Sequence, residues 1–294
     1  FIETLAALRE IEVTQNLYAL DAETARVVEA RVEEGEAAPL ELNLLRAEVD
    51  RLLARRALIE GRLQNAATRL KQLVGMAPNE QLQFREVLMA PLLPDPPASL
   101  DAAIAVALQQ RPDLRFARLE EDVARAGYRL AKAQAAPQVT AFVRYSNVLG
   151  TFDDTPIGVL NDRDRLLAAG VSVTLPIFNR NQGAKAEAQL AITQAQRRRE
   201  FTESVVRAEV TAAYRRYEAA QASVRTYERG VIERSEKNVQ TMRAAYQAGA
   251  FRVTELLAEQ RRMVDMQREM TEALAERYRA LADLKSVIGD VSGQ

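Results

Sequence analysis

Apolar side chains recur along most of this chain at alternating steps of four and three. From residue 184 onward, Val206, Val210, Ala213, Tyr217, Ala220, Val224, Tyr227 and Val231 trace one such seam, and neither Gly nor Pro occurs over 184–229. That spacing keeps one stripe of a helix turned toward a partner helix. The intervening positions are rich in Ala, Glu, Arg and Gln, all strong helix formers. The pattern predicts a helix over 184–247, which at ~1.5 Å per residue would be on the order of 95 Å long. Gly249 interrupts it. A second helix is expected over 253–289, with Met263, Met266, Met270, Leu274, Tyr278, Leu281 and Ile288 on its buried side. The start of the chain has the same layout: a helix over 2–34, a break at Gly35 and Pro39, then a helix over 40–74.

The two layouts are copies. Shifted by 214 positions, RVEEGEAAPLEL (31–42) lies on AYQAGAFRVTEL (245–256), and the match continues without a gap to LKQLVG (70–75) on LKSVIG (284–289). Gly35 meets Gly249, Glu41 meets Glu255, Leu42 meets Leu256, Lys71 meets Lys285 and Gly75 meets Gly289. A repeat of this length decides the architecture before any other feature does. Each copy reads as two long antiparallel helices joined at a short turn.

Between the copies the pattern changes twice. Residues 76–99 hold five prolines, at 78, 91, 94, 96 and 97, and read as an irregular linker. Ser99 and Asp101 then offer a helix start, and Pro112 breaks or restarts that helix before 113–136. After Pro137 the period falls from 3.6 to 2. Val139, Ala141, Val143 and Tyr145 alternate with Thr140, Phe142, Arg144 and Ser146. Beyond a polar loop, Leu167, Ala169, Val171, Val173 and Leu175 alternate with Ala168, Gly170, Ser172 and Thr174. Two strands of about ten residues are expected. That length suits a transmembrane barrel strand, and it equally suits a half-buried hairpin of a soluble protein. The chain thus divides into a helical pair (1–75), a proline-rich segment (76–99), a helix (100–137), a hairpin (138–176) and a second helical pair (177–294).

Composition narrows the chemistry. Forty basic residues against 41 acidic ones leave no basic excess for a nucleic-acid surface. There is no Cys and no His, so thiol catalysis and the commonest metal ligands are absent. No glycine-rich phosphate loop and no Gly-x-Ser-x-Gly occurs. No enzyme, cofactor or resident metal is expected. Asp153, Asp154, Asn161, Asp162 and Asp164 could gather around calcium, but their spacing does not match a calcium loop and a solvated turn explains them better. No apolar run approaches the roughly 18 residues of a spanning helix. The chain opens on Phe1 inside a helical pattern, without Met or a signal segment, so a trimmed or partial sequence is expected.

The repeated helical unit, the RPDLRFARLEEDVARAGYRLAKAQAAPQV run (111–139) and the hairpin exit GVSVTLPIFNRNQG (170–183) together resemble outer-membrane efflux channels of the TolC type. Within that exit, LPIFNRNQG (175–183) is most similar to the CzcC-like, heavy-metal branch. The resemblance implies a homotrimer in the bacterial outer membrane. Its protomers would share one β-barrel in the lipid and one α-helical barrel reaching into the periplasm. A periplasmic adaptor and an inner-membrane pump would be partners, and export would be passive. Each half of a family protomer gives one hairpin to the barrel. Only the second half carries one here, so the N-terminal part of the first repeat is expected to be missing from this sequence.

The resemblance also assigns residues. Tyr246 and Gly249 stand at the family's Tyr-x-x-Gly turn, and Glu255 falls where relatives carry a gate aspartate. Glu41 is its counterpart in the first copy. A second acidic gate position is Ala258 here, and Phe251, with Arg252 beside it, replaces an arginine that ties the gate. Gly35, Gly249, Ala250 and Phe251 become candidates for adaptor docking, and Glu255, Tyr246, Arg252 and Glu41 for gating. Both glutamates can also be read as solvated carboxylates favoured at helix starts. Val139, Ala141, Val143, Tyr145, Leu167, Ala169, Val171, Val173 and Leu175 would face lipid, with Thr140, Arg144, Ser172 and Thr174 toward the lumen. The alternative class is a soluble coiled-coil scaffold or a periplasmic adaptor subunit. The adaptor would require Gly-rich β-domains around its helices, and none is visible.

Overall fold

The computed structural model describes residues 1–152 and 160–289, with the side chains at 149, 151, 152 and 160–162 set aside. Asp153 and Asp154 of the calcium reading lie outside the described residues, as do the side chains of Asn161 and Asp162. In chain order the elements are α1 (Ile2–Glu33), α2 (Pro39–Val74), α3 (Leu100–Gln110), α4 (Pro112–Ala133), β1 (Gln138–Phe152), β2 (Leu160–Thr174), α5 (Gln182–Glu228), α6 (Val231–Gln247) and α7 (Val253–Ile288). They divide into two units, Phe1–Gln110 with Val206–Gln294, and Arg111–Val205. Among the described residues no helix is long and apolar enough to cross a membrane.

In the first unit the duplication is visible in the backbone. Shifted by the sequence repeat, α2 falls on α7 from first residue to last. The glycines before and after each helix repeat as well. Gly35 and Gly249 have φ of 77° and 76°, and Gly75 and Gly289 have 73° and 79°. Left-handed backbone is strained for any residue with a Cβ, so glycine ends a helix there at least cost. Each of the first two closes a Schellman turn. Glu36 N–H donates to Arg31 C=O at 2.7 Å and Gly35 N–H to Val32 C=O at 3.1 Å; in the second copy Ala250 reaches Ala245 and Gly249 reaches Tyr246, both at 2.9 Å.

Among the described residues, four buried clusters line the seams of this unit. One lies beneath the turns, with Val28, Leu42, Leu45, Tyr246, Val253, Leu256 and Leu257. A second joins Leu17, Leu52 and Val264. A third places Leu5, Leu88, Val224, Met270, Leu274 and Tyr278 together. The fourth packs Ala103 and Ala107 of α3 against Val206, Val210 and Tyr214 of α5 and Leu284 and Ile288 of α7. The proline-rich segment is strapped onto these helices. Tyr278 donates its hydroxyl to Ala90 C=O, Tyr214 to Pro97 C=O at 3.4 Å, and Lys71 Nζ reaches Pro78 C=O at 2.8 Å.

The helix expected over 184–247 is two helices. α5 ends at Glu228 and α6 begins at Val231, with Gly230 between them at φ 98°. The left-handed glycine removes the register that the heptad seam carried from Tyr227 to Val231. The seam itself is rotated slightly: Tyr214 is buried, whereas Ala213 and Tyr217 are only partly covered.

The second unit holds α4, the hairpin and the first part of α5. Glu121 of α4 ties the two helices by accepting from Arg199 Nε at 2.8 Å and Gln196 Nε2 at 3.4 Å on α5. Asn181 Nδ2, at the head of α5, donates to Ala131 C=O at 3.0 Å near the end of α4. The strands are fifteen residues each, not ten. The sequence pattern stops early because charged residues such as Arg163, Asp164 and Arg165 break the alternation. The ladder of backbone hydrogen bonds needs no such alternation and runs on.

Candidate functional site

Two places carry the expectations about function, the helical turns of the first unit and the hairpin of the second. At the turns, the repeat puts a glutamate at the third helical position of both α2 and α7. The N-caps, Ala38 and Arg252, are extended. Glu255 Oε2 accepts the Arg252 backbone N–H at 2.8 Å, reaching back to satisfy one of the orphan donors of its own helix. Glu41 does something else. Its Oε2 accepts the phenolic hydroxyl of Tyr246, from the other copy, at 3.1 Å. Tyr246 is buried among the apolar residues beneath the turns. Burial first, then the hydrogen bond and negative charge of Glu41, push its pKa to about 12. Gly35, Gly249, Ala250, Phe251, Arg252 and Glu255 are all exposed.

Below this level the helices are laced by charge. Arg46 of α2 pairs with Glu29 of α1 at 2.5 Å, and Arg243 of α6 pairs with Glu23 of α1 at 3.0 Å. Glu48 of α2 accepts from Arg51 of its own helix and from Arg261 of α7. The two arginines hold its carboxyl below the usual range although burial alone would raise it. Deeper still, Gln260 of α7 donates to Asp21 of α1 at 2.7 Å in a fully buried pair. Glu48, Asp21 and Gln260 were missed by motif reading. The signal was present in the seams. Leu17, Asp21, Thr24 and Val28 are buried at steps of four, three and four, and Leu256, Gln260 and Val264 at steps of four. Each pattern carries a polar residue where an apolar one is expected.

The hairpin register pairs Val139 with Val173, Ala141 with Val171, Val143 with Ala169 and Tyr145 with Leu167. Residues directly opposite in an antiparallel ladder share a face, and the face alternates along each strand. All eight therefore lie on one side. They stand open on the chain, with Val143 77% and Val171 69% exposed. Leu175 lies one residue past the end of β2, outside the ladder. The other face carries Thr140 opposite Ser172, Phe142 opposite Gly170 and Arg144 opposite Ala168.

The family model for outer membrane efflux proteins matches residues 103–290. The chain is 23% identical over 296 aligned residues to outer membrane protein TolC of Vibrio cholerae serotype O1, covering 100% of this chain and 67% of that one. Its fold is shared with solved outer-membrane channels. VceC of Vibrio cholerae superposes with a TM-score of 0.68 at 18% identity, over 98% of this chain and 67% of that one. A structure of CusC, described in terms of folding and transmembrane channel formation, gives 0.72 at 19% identity over 98% and 66%. The open state of the Neisseria gonorrhoeae MtrE channel gives 0.66 at 20% over 98% and 64%. The chain thus spans about two thirds of the length of these relatives. With its repeated helical pairs, its single described hairpin and the family match across most of its length, the chain belongs to the outer membrane efflux protein family.

Proposed function

We propose that this chain is a duct subunit of a three-part export system. It assembles as a homotrimer, contributes β1 and β2 to a shared barrel in the outer membrane, and takes its driving energy from an inner-membrane pump through a periplasmic adaptor. The observation that supports this most is the open apolar face of the hairpin. Over 139–145 and 167–173 eight apolar residues share one side of the ladder and the other side carries Arg144; Arg165 and Arg163 come onto the first side only beyond that band. An arginine is tolerable on a wet lumen face and costs roughly 2–4 kcal/mol at the lipid midplane.

The turns at Gly35 and Gly249 form the periplasmic mouth in this reading, with Ala250 and Phe251 offered to the adaptor. The Tyr246–Glu41 hydrogen bond joins the two halves of one protomer at that mouth. Three copies of Glu255 would form a carboxylate ring that favours cations, by the logic of acidic rings in other channels. Arg252, beside it, offsets part of that charge. The cargo is small solutes. Heavy-metal cations are the class to test first, because LPIFNRNQG (175–183) is similar to the metal-exporting branch. No step of covalent chemistry is needed.

The test is conductance of the full-length protein in a planar bilayer, with Glu255→Gln beside the wild type. A cation-preferring pore whose preference falls in the variant supports the reading. A protein that inserts no pore overturns it. A deletion strain that becomes sensitive to zinc, cobalt or cadmium assigns the cargo, and one with unchanged metal tolerance removes metals from it.

A further inference from the structure

Asp21 is fully buried on the seam of α1, between Leu17 and Thr24. Gln260 of α7 is buried with it and donates Nε2–H to Asp21 Oδ1 at 2.7 Å. The remaining oxygen of each side chain, Asp21 Oδ2 and Gln260 Oε1, is buried without a hydrogen-bond partner. Both leftover atoms are acceptors when Asp21 is ionised, so they face one another's chemistry with nothing to share. One proton resolves this. A carboxylic acid and a primary amide close a ring of two hydrogen bonds, the amide N–H to one carboxyl oxygen and the acid O–H to the amide oxygen. None of the charged groups near Asp21 does the same work. Arg51 of α2 is engaged by Glu48, as is Arg261 of α7. Arg243 of α6 gives Nη2 to Glu23, and its buried Nε has no partner.

We propose that the folded protein takes up a proton on Asp21 in mildly acid conditions, and that the protonated Asp21 and Gln260 then form a clasp between α1 and α7, one helix from each half of the repeat. The surroundings agree. Burial raises the Asp21 pKa from 3.8 to about 6; the Gln260 bond opposes this, Glu48 adds to it, and Arg243 and Arg51 oppose it. A folded pKa above the unfolded one means that the folded state binds the proton more tightly. The clasp's stabilisation is therefore complete below about pH 4, declines as pH rises through about 6, and is gone above that. Once ionised, Asp21 has near it the buried Nε of Arg243, which has no hydrogen-bond partner, so loss of the proton redirects α1 from α7 toward α6. Along α1, Asp21 lies roughly 20 Å from Gly35 at 1.5 Å per residue. The inference depends on helix packing and not on the export reading, so either can fail alone.

The experiment uses the full-length protein in detergent, as wild type and as Asp21→Asn, which keeps the shape and offers both hydrogen bonds permanently. Infrared spectra of protein carrying carboxyl-labelled Asp are titrated from about pH 4 to about pH 8. The expected result is a protonated carboxyl component that titrates near the pKa of about 6, well above the ordinary aspartates near about 3.9, and that is missing from the variant. Thermal melting should coincide for the two proteins at the acid end. Toward pH 8 the variant should melt higher, by a margin equivalent to roughly a hundredfold in the folding equilibrium. A missing band, or a wild type that gains on the variant as pH rises, means an ionised Asp21 held by arginine and overturns the proposal. Should the variant not fold, the wild-type infrared titration decides by itself.

Discussion

Tyr246 and Glu41 are 205 positions apart, and the phenol of one donates to the carboxylate of the other at 3.1 Å. Glu255 occupies the equivalent repeat position and spends its carboxylate on the Arg252 N–H at 2.8 Å instead. Duplication gave both helices the same start; one copy has been turned into a cross-link between the halves. Replacing Tyr246 with Phe should destabilise the fold by about 1–2 kcal/mol, the range for a hydrogen bond to a charged acceptor at a partly wet site. In a double-mutant cycle with Glu41→Ala, most of that loss should be shared between the two changes. Denaturant unfolding of the four proteins measures it, and full additivity would separate the two residues.

The same bond has a pH signature. Tyr246 titrates at about 12, above the ordinary 10. The folded state holds this proton more tightly, so the contribution is intact below pH 10 and is lost as pH climbs through about 12. Tyr217 and Tyr227 are also raised, so ultraviolet titration of the chain's eight tyrosines should show a late group of phenolates whose last member Glu41→Ala brings forward.

Glycines separate by backbone, not by space. A Cβ at Gly35, Gly249 or Gly61 would meet nothing within 4 Å. Gly35 and Gly249 have φ near 77°, so alanine should cost about 1–2 kcal/mol at each from left-handed strain alone. Gly61 sits inside α2, where alanine should stabilise by about 0.5–1 kcal/mol. Melting temperatures moving in opposite directions would check this. A loss at all three would contradict it.

In the hairpin, a Cβ on Gly170 would stand 2.8 Å from the Phe142 ring directly across the ladder. The ring covers the glycine because no side chain keeps it away. The contacting atoms are the far end of a side chain that is 47% exposed, so Gly170→Ala should push the ring off its rotamer at a cost of about 0.5–1.5 kcal/mol, and adding Phe142→Ala should return most of it. Refolding yield into bilayers reports both.

Much of this was legible from spacing. The period-2 alternation from Val139 to Tyr145 and from Leu167 to Val173 places those residues on one face, and the glycine pair at 35 and 249 marks the turns. What the sequence concealed was set by tertiary geometry. The break at Gly230 falls inside an unbroken heptad, because a single left-handed residue costs glycine little and leaves no trace in the apolar pattern. The outer halves of the strands carry charges on both faces and so lack a hydrophobic period, yet the ladder pairs Val148 with Asp164 and Asn147 with Arg165. Asp21 and Gln260 read as ordinary surface residues until their place in the seams is counted. Their partnership, across 239 positions, depends on the packing of α1 against α7.

In the proposed duct, the apolar face of β1 and β2 meets hydrocarbon while the opposite face meets water. Nitroxide labels placed singly at Val171 and Ser172 of the full-length protein in lipid bilayers test it most directly. Val171 should be quenched by dissolved oxygen from the lipid and Ser172 by a water-soluble reagent, with the preference reversing again at Val173. Equal access of the aqueous reagent to all three positions would contradict it.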